Sequence, residues 1–262
     1  MHTIVCLKVV PKSEEVTIDD ETKTLDRSKA RSEINAPDMN AVEMALTLKE
    51  RHGGTVSLLA MGPPLFESYL RLGLAMGADQ AFLMSDRAFG GADTLATSYV
   101  LAEGIRAIGS FDLVLCGDES SDGATGQVPP GIAEWLSLPQ VTYARRVDVS
   151  DGTLRALREL GAGSETVETN LPCVVSVKHD VNEPRFLDSS RWEWAMDQAP
   201  VQVWSAADLE IDVERAGAPG SPTIVAGVSA ARGADRRREF LSGSPEEIAT
   251  QLADKIRAWV KP

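Results

Sequence analysis

The chain has 262 residues, 43% hydrophobic and 25% charged, which is the composition of a globular protein with a sizeable core. Its formal net charge of −13 argues against a nucleic-acid or anionic-membrane partner, because both require clustered lysine and arginine. A single phosphate group remains compatible with this charge, since backbone amides can bind one. A strand pattern begins close to Met1, and no apolar run reaches the roughly 18 residues of a membrane span. We therefore expect a cytoplasmic protein without a signal peptide.

The three cysteines, Cys6, Cys116 and Cys173, each lie inside an apolar run, where cysteine behaves as a small buried hydrophobe. They show no CxxC spacing, and the three histidines are far apart in sequence, so we expect neither a disulfide framework nor a metal site. The sequence also lacks the GxGxxG, GxxxxGK[ST], nucleophile-elbow and HExxH motifs. We therefore assign no catalytic residue to the chain itself.

Strand and helix patterns alternate along the first 140 residues or so. The predicted elements, in chain order, are a strand at 3–11, a small hairpin at 15–19 and 24–27, a helix at 39–51, a strand at Thr55–Met61, a helix at 65–75, a strand at Gln80–Met84, a helix at Thr94–Ile108, a strand at 112–116, a helix ending near 136 and a further strand from 138. This order predicts an α/β fold, a doubly wound and mostly parallel sheet with helices on both faces.

The second half of the chain has a different pattern. Residues 145–170 alternate between apolar and polar positions around short turns, which predicts an antiparallel meander. Residues 244–260 predict a terminal helix with a serine N-cap and a proline in its first turn. We expect a nucleotide-binding domain at 1–185 that includes the meander, followed by a partner-contacting loop and a C-terminal arm at 186–262.

The most informative stretch is the loop of small and polar residues after the strand at 112–116. Small residues allow backbone N–H groups to approach a ligand closely, and the helix that follows favours negative charge at its start. This pattern is typical of a phosphate-binding loop, although an ordinary strand–turn–helix crossover explains it as well. The loops after Cys6, Met61 and Met84 are predicted at the same carboxyl edge of the sheet, where such folds bind ligands. Together they favour a nucleotide site.

Several motifs, in the same order and spacing, resemble those of the beta subunit of electron transfer flavoproteins. These motifs are Lys8-Val9-Val10-Pro11 with residues 15–19, Glu33-Ile34-Asn35-Ala36-Pro37-Asp38, Met61-Gly62-Pro63-Pro64, Leu74-Ala75-Met76-Gly77-Ala78-Asp79, Asp122-Gly123-Ala124-Thr125-Gly126-Gln127-Val128, Leu138-Pro139-Gln140-Val141-Thr142 and Asn182-Glu183-Pro184-Arg185. The resemblance covers residues 3–187 and extends more loosely to the end. It implies a Rossmann-like fold, similar to that of the adenine nucleotide alpha hydrolases.

The resemblance also implies a heterodimer with an alpha subunit that carries the electron-transferring FAD. The beta subunit of this family binds a second nucleotide, which is AMP in housekeeping members and a second FAD in electron-bifurcating members. By position, the residues that the resemblance places around the adenosine and phosphates are Cys6, Lys8, Asn35, Met61, Asp122, Gly123, Ala124, Thr125, Gly126, Gln127 and Val128.

The run at 85–97, like the hairpin at 15–27, is similar to that of the bifurcating subgroup, with Arg87 and Thr94 as candidate contacts to a flavin. We therefore favour FAD over AMP in the beta subunit, in which case NAD(H) would exchange hydride with it. A stand-alone adenine-nucleotide-binding regulator or ATP-using enzyme is the rival class. The sequence argues mildly against it, because no P-loop lysine is present.

Two segments differ from the family pattern. Asp118 and Glu119 follow Gly117, where the family usually has an Arg-Gln or Lys-Gln pair. After Arg185 the usual lysine-rich segment is replaced by aromatic residues flanked by acids. Such residues are typical of protein interfaces, so Arg191, Trp192 and Trp194 are candidate contacts to a flavin-dependent dehydrogenase or reductase. Alternatively, these aromatic side chains pack against the alpha subunit.

Overall fold

The computed structural model describes residues 1–12, 17–18, 25–26, 31–161, 163–224 and 238–260. The strands are β1 (His2–Leu7), β2 (Val9–Pro11), β3 (Thr17–Ile18), β4 (Leu25–Asp26), β5 (Ser32–Ile34), β6 (Thr55–Met61), β7 (Gln80–Met84), β8 (Leu113–Gly117), β9 (Gln140–Ser150), β10 (Thr153–Leu160), β11 (Gly163–Asn170), β12 (Cys173–Val177) and β13 (Val201–Trp204). The helices are α1 (Ala36–His52), α2 (Glu67–Met76), α3 (Thr94–Ile108), α4 (Val128–Leu136), α5 (Ser189–Glu193) and α6 (Pro245–Trp259).

Within these described residues, nine strands form one sheet in the order β11-β10-β9-β12-β8-β1-β6-β7-β13. Pairing is parallel from β9 through to β13 and antiparallel between β9, β10 and β11. All five residues of β8 and of β12 are buried, which is why these central strands appear in the sequence as continuous apolar runs. The prediction of a mostly parallel α/β sheet with an antiparallel extension is confirmed.

Helices cover both faces of the sheet. Consecutive residues of a strand point to opposite faces, so neighbouring residues pack against different helices. Leu58 of β6 packs in the cluster that contains residues of α1 and α2, whereas its neighbour Leu59 packs in the cluster of α3 and α4. Both side chains are fully buried. The fold is therefore doubly wound, with one apolar core on each side of the sheet.

The chain forms two compact units, Met1–Gly227 and Val228–Pro262. Strand β13 pairs in parallel with β7, so residues beyond 185 contribute to the main sheet of the first unit. The predicted hairpin near the N-terminus is represented by β3 and β4, which pair antiparallel, while the rest of it lies outside the described residues.

In the second unit, the predicted terminal helix is confirmed as α6. Ser244 caps it in a reciprocal arrangement with Glu247, in which each side chain accepts a hydrogen bond from the backbone N–H of the other residue. In the described part of the chain, no helix is both long and apolar enough to cross a membrane.

Candidate functional site

The central strands β1 and β8 part at their carboxyl ends. Their pairing stops at Val5 and Leu115, whereas β1 stays paired with β6 as far as Leu7, and β8 stays paired with β12 as far as Gly117. The chain moves from β1 to β6 and β7 on one side, and β8 and β12 lie on the other. This is the topological switch point of the sheet, where α/β proteins bind ligands. We call the opening between the ends of β1 and β8 the switch-point crevice.

Asp38, in the first turn of α1, bridges the two sides of the switch-point crevice. One carboxylate oxygen accepts the backbone N–H of Lys8 at 2.7 Å, and the other accepts the backbone N–H of Gly117 at 3.0 Å. A Cβ atom on Gly117 would lie 2.4 Å from an Asp38 oxygen, so only glycine fits there. Burial raises the pKa of Asp38 to about 7, although its hydrogen bonds act in the opposite direction.

The small-residue loop, residues 118–127, follows β8 and is held by two of the predicted site residues. Lys8 Nζ donates to Asp122 Oδ1 at 2.5 Å and to Ser120 Oγ at 3.1 Å. Asn35, just before α1, donates from Nδ2 to the carbonyl of Glu119 at 2.9 Å, and its Oδ1 accepts the N–H of Ser121 at 3.1 Å. Lys8, Asn35 and the loop are therefore brought together, as the sequence predicted.

The backbone of the small-residue loop turns sharply and exposes its middle. Ala124 and Gly126 have φ angles of 46° and 63°, and the N–H of Ala124 donates to the carbonyl of Ser120 at 2.7 Å. A Cβ atom on Gly126 would lie 3.1 Å from the hydroxyl of Tyr143. Gly123, Ala124 and Thr125 are exposed, and of these the N–H of Ala124 is already used within the loop.

Helix α4 adds less to an anion site than the sequence pattern indicates. Of its first three residues only Val128 has a backbone N–H, because Pro129 and Pro130 have none. The N–H of Gly131 already donates to the carbonyl of Gln127 at 3.0 Å. The start of this helix therefore offers few free N–H groups to an anion, and the loop itself must supply most of the backbone donors.

A second loop, between β7 and α3, reaches the same edge of the sheet. Thr94 Oγ1 at the start of α3 donates to Gln127 Oε1 at 2.9 Å and so connects this loop to the small-residue loop. Arg87 is exposed in a short helical turn, and Met61 lies half-buried at the end of β6, where it pairs in register with Met84. These predicted residues therefore share the carboxyl edge with the switch-point crevice.

The loop between β7 and α3 is held in place by residues 221–223, a role that the sequence did not predict. The carboxylate of Asp93 accepts the N–H groups of Leu95 and Ala96 as the N-cap of α3, and it also accepts the N–H and hydroxyl of Thr223. The hydroxyl of Ser221 accepts the N–H of Asp93 at 2.8 Å. Burial raises the pKa of Asp93, but these donors outweigh it and hold the pKa below its usual range.

The two acidic residues that follow β8 differ in burial and in their hydrogen bonds. Asp118 is buried, its N–H donates to the carbonyl of Val177 at 2.9 Å, and its Oδ1 accepts the N–H of Glu119 at 3.0 Å. The side chain of Glu119 is exposed. One oxygen of Asp118 is therefore occupied by the backbone that follows it.

Two cysteines lie side by side below the crevice. Cys6 and Cys116 are both buried, and a hydrogen bond with Cys6 together with burial raises the pKa of Cys116. Burial likewise raises the pKa of Cys173 to about 12. Raised pKa values keep the thiols of Cys116 and Cys173 protonated at neutral pH, which is unfavourable for nucleophilic chemistry or metal binding. Among the described residues, no three His, Cys, Asp or Glu side chains cluster as metal ligands would.

The candidate partner-binding residues differ in their exposure. Arg191 donates to the carbonyls of Leu74 and Ala78 at 3.2 and 2.6 Å, at the C-terminal end of α2, and stacks 4.8 Å from the ring centre of Trp194. Trp194 is half-buried, and Trp192 is 44% exposed. A partner-binding role stays a prediction for all three, and Trp192 is the most accessible of them.

Comparison with known proteins agrees with this architecture. The electron transfer flavoprotein domain matches residues 22–209. The chain is 40% identical over 257 residues to an electron transfer flavoprotein subunit beta from Clostridium acetobutylicum, with 98% of each chain covered. It is also 40% identical to the CarD subunit of a caffeyl-CoA reductase-Etf complex from Acetobacterium woodii, with 98% of each covered. Protein FixA from Bradyrhizobium diazoefficiens is 40% identical, covering 98% of this chain and 91% of that protein. This chain therefore belongs to the beta-subunit family of the electron transfer flavoproteins.

Proposed function

We propose that this chain, in the cytoplasm and paired with an alpha subunit, binds FAD at the switch-point crevice and passes electrons between NADH or a dehydrogenase and the alpha-subunit FAD. The observation that carries the choice of FAD is the hydrogen bond between Thr94 and Gln127. It connects the loop after β7 to the small-residue loop, and a ligand that contacts both loops would be longer than a mononucleotide.

The residues present fit the phosphates of an adenine nucleotide. Lys8 supplies a cation at the crevice, and the exposed middle of the small-residue loop supplies backbone N–H groups. Lys8 is 46% exposed, so solvent screens its ion pair with Asp122, and a phosphate can compete for the ammonium group. The hydroxyl of Thr125 is a further donor.

The residues of the second loop fit the other end of a dinucleotide. We infer that Arg87, in the loop after β7, and Thr94, at the start of α3, contact the flavin, and the bond from Thr94 to Gln127 supports this by linking the two loops. When bound, FAD supplies the redox chemistry, and the chain supplies orientation and electrostatics. The contacts of Asp93 with Ser221 and Thr223 keep this loop in place.

The names of the relatives support electron transfer to a dedicated partner. One relative is a subunit of a complex with caffeyl-CoA reductase, and others are electron transfer flavoprotein beta subunits. We infer that this chain serves a flavin-dependent dehydrogenase or reductase, which would contact the exposed Trp192. A beta subunit with a structural AMP is the alternative.

Anaerobic titration of the purified complex with NADH tests the proposal. We expect the absorbance of oxidised flavin to fall on addition of NADH. Arg87→Gln should weaken this response, while Arg106→Gln, at the far end of α3 in an ion pair with Glu103, should leave it unchanged. A complex that dithionite reduces but NADH does not would favour the AMP alternative instead.

A further inference from the structure

The strand ends at the switch-point crevice lack the hydrogen bonds that join β1 and β8 lower down. Pairing between them ends at Val5 and Leu115, and the next donors on the two sides, the N–H groups of Lys8 and Gly117, point to Asp38 instead. Each oxygen of one carboxylate accepts one of these donors. A single side chain thus replaces the missing strand pairing.

We propose that Asp38 is a positioning residue that fixes the separation of the β1 and β8 ends and thereby controls how firmly the crevice retains its nucleotide. The inference rests on the proposed function, because it takes the nucleotide to bind there. Asp38 lies below Lys8 and the small-residue loop, and it acts through the backbone to which they are attached.

The geometry requires a carboxylate at this position. Two N–H donors converge on two acceptor oxygens, and an amide side chain would turn an NH₂ group towards one of the donors. The missing Cβ of Gly117 provides the space for this approach. Asp38 is buried, so a donor left without its acceptor would carry the full desolvation cost.

Protonation of Asp38 should weaken this bridge in the same way as an amide side chain would, but to a smaller extent. The groups that face it are the amide of Gly117, Lys8 from β1, the side chain of Asn35 before α1, and Cys116, whose thiol is hydrogen bonded to Cys6. The raised pKa of Cys116 keeps that thiol neutral, and among these groups Lys8 carries the charge. With a pKa raised by burial to about 7, the carboxyl gains a proton as pH falls below neutral, and one oxygen stops accepting.

The test measures the rate at which the complex with the alpha subunit loses its beta-subunit nucleotide, followed by chromatography of the released adenine compounds. For the wild type we expect faster loss at about pH 6 than at about pH 8, because Asp38 is protonated at the lower value. Asp38→Asn should lose nucleotide roughly tenfold faster at the higher pH, the equivalent of one hydrogen bond to a charged group, and should show no such pH dependence.

The matched control is Asp79→Asn. Asp79 also accepts a strand N–H, that of Val56 at 2.8 Å, and it pairs with Lys49, but it lies at the amino edge of the sheet. This variant should retain nucleotide as the wild type does, with its pH dependence intact. Thermal melting of both variants separates global unfolding from a local effect, and the wild-type pH profile decides alone if Asp38→Asn does not fold.

Equal retention in Asp38→Asn and the wild type, or a wild-type rate that does not change with pH, would overturn the inference and leave the proposed function standing. A wild-type complex that contains no adenine nucleotide besides the FAD of the alpha subunit would overturn both.

Discussion

The ammonium nitrogen of Lys8 lies 2.5 Å from a carboxylate oxygen of Asp122, and this contact joins the end of β1 to the small-residue loop after β8. The two residues are separated by 114 positions in the sequence, so only the fold brings them together. An ion pair in which the lysine is 46% exposed contributes at most about 1 kcal/mol. It orders the loop, and its low energy would let the phosphate of the proposed nucleotide replace Asp122 as the partner of Lys8.

Replacement of Lys8 distinguishes an effect on nucleotide binding from an effect on stability. In Lys8→Met we expect the beta-subunit nucleotide content of the complex to fall, because the cation that compensates the phosphate charge is lost, while stability changes by about 1 kcal/mol or less. Lys49→Met is the control, since it breaks the ion pair with Asp79 far from the crevice. Nucleotide content by chromatography and thermal melting measure the two effects.

Gly126→Val tests the close approach in the small-residue loop. The residue has φ of 63°, and a Cβ atom there meets the Tyr143 hydroxyl at 3.1 Å. Gly152→Val, in the turn between β9 and β10, is the control, because its φ of 75° is also positive and nothing lies within 4 Å of the new Cβ. Both variants should be destabilised by about 1–2 kcal/mol from the left-handed backbone conformation.

Only Gly126→Val should also release the beta-subunit nucleotide, with the alpha-subunit FAD retained. If its nucleotide content equals that of Gly152→Val, the small-residue loop does not bind the nucleotide.

Arg185, the last residue of one of the family motifs, connects that motif to α1. Its guanidinium forms a two-point pair with Glu43 at 2.8 and 2.9 Å and a third contact with Glu50 at 2.6 Å, both on α1. Arg185→Lys keeps the charge but loses the two-point geometry, so we expect a loss of about 1–3 kcal/mol in the free energy of unfolding. Urea denaturation measures it, and Arg257→Lys, in an exposed pair, should cost almost nothing.

The ion pair between Arg185 and Glu43 also predicts how the stability of the chain depends on pH. Burial raises the pKa of Glu43, but the hydrogen bonds from Arg185 outweigh it and hold the pKa below its usual value of 4.5. The stability that this pair provides is therefore present above that value and lost as pH falls through the lowered pKa. In Arg185→Lys the loss of stability on acidification should be smaller, and an unchanged acid transition would contradict this.

For Asp38 we expect the free energy of unfolding to change with pH in the opposite direction. Its pKa is about 7 in the folded chain against an ordinary 3.8, so the folded state binds the extra proton between these values. Its contribution to stability is greatest below the lower value and is lost as pH rises through the higher one. The free energy of unfolding of Asp38→Asn, measured by urea denaturation across this range, should lack that decrease. An identical slope in both proteins would show that Asp38 does not titrate there.

The sequence was sufficient to predict the elements with strong local signals. Helix α3 begins and ends at the predicted residues because Asp93 caps it and Gly109 ends it. The role of Asp38 was not predictable, since an acidic residue in a first turn is explained by the helix dipole alone. Strand β13 was missed because its burial depends on pairing with β7, more than a hundred residues earlier. In each case the missing information was a contact between distant segments.

The most direct measurement of the central claim is the nucleotide content of the complex with its alpha subunit. The denatured complex would be separated by chromatography, and its adenine nucleotides identified and counted. We predict two FAD per heterodimer, one of them held by Lys8, Asn35 and the small-residue loop. A complex that holds only the FAD of the alpha subunit, with no second adenine nucleotide, would contradict this account of the switch-point crevice.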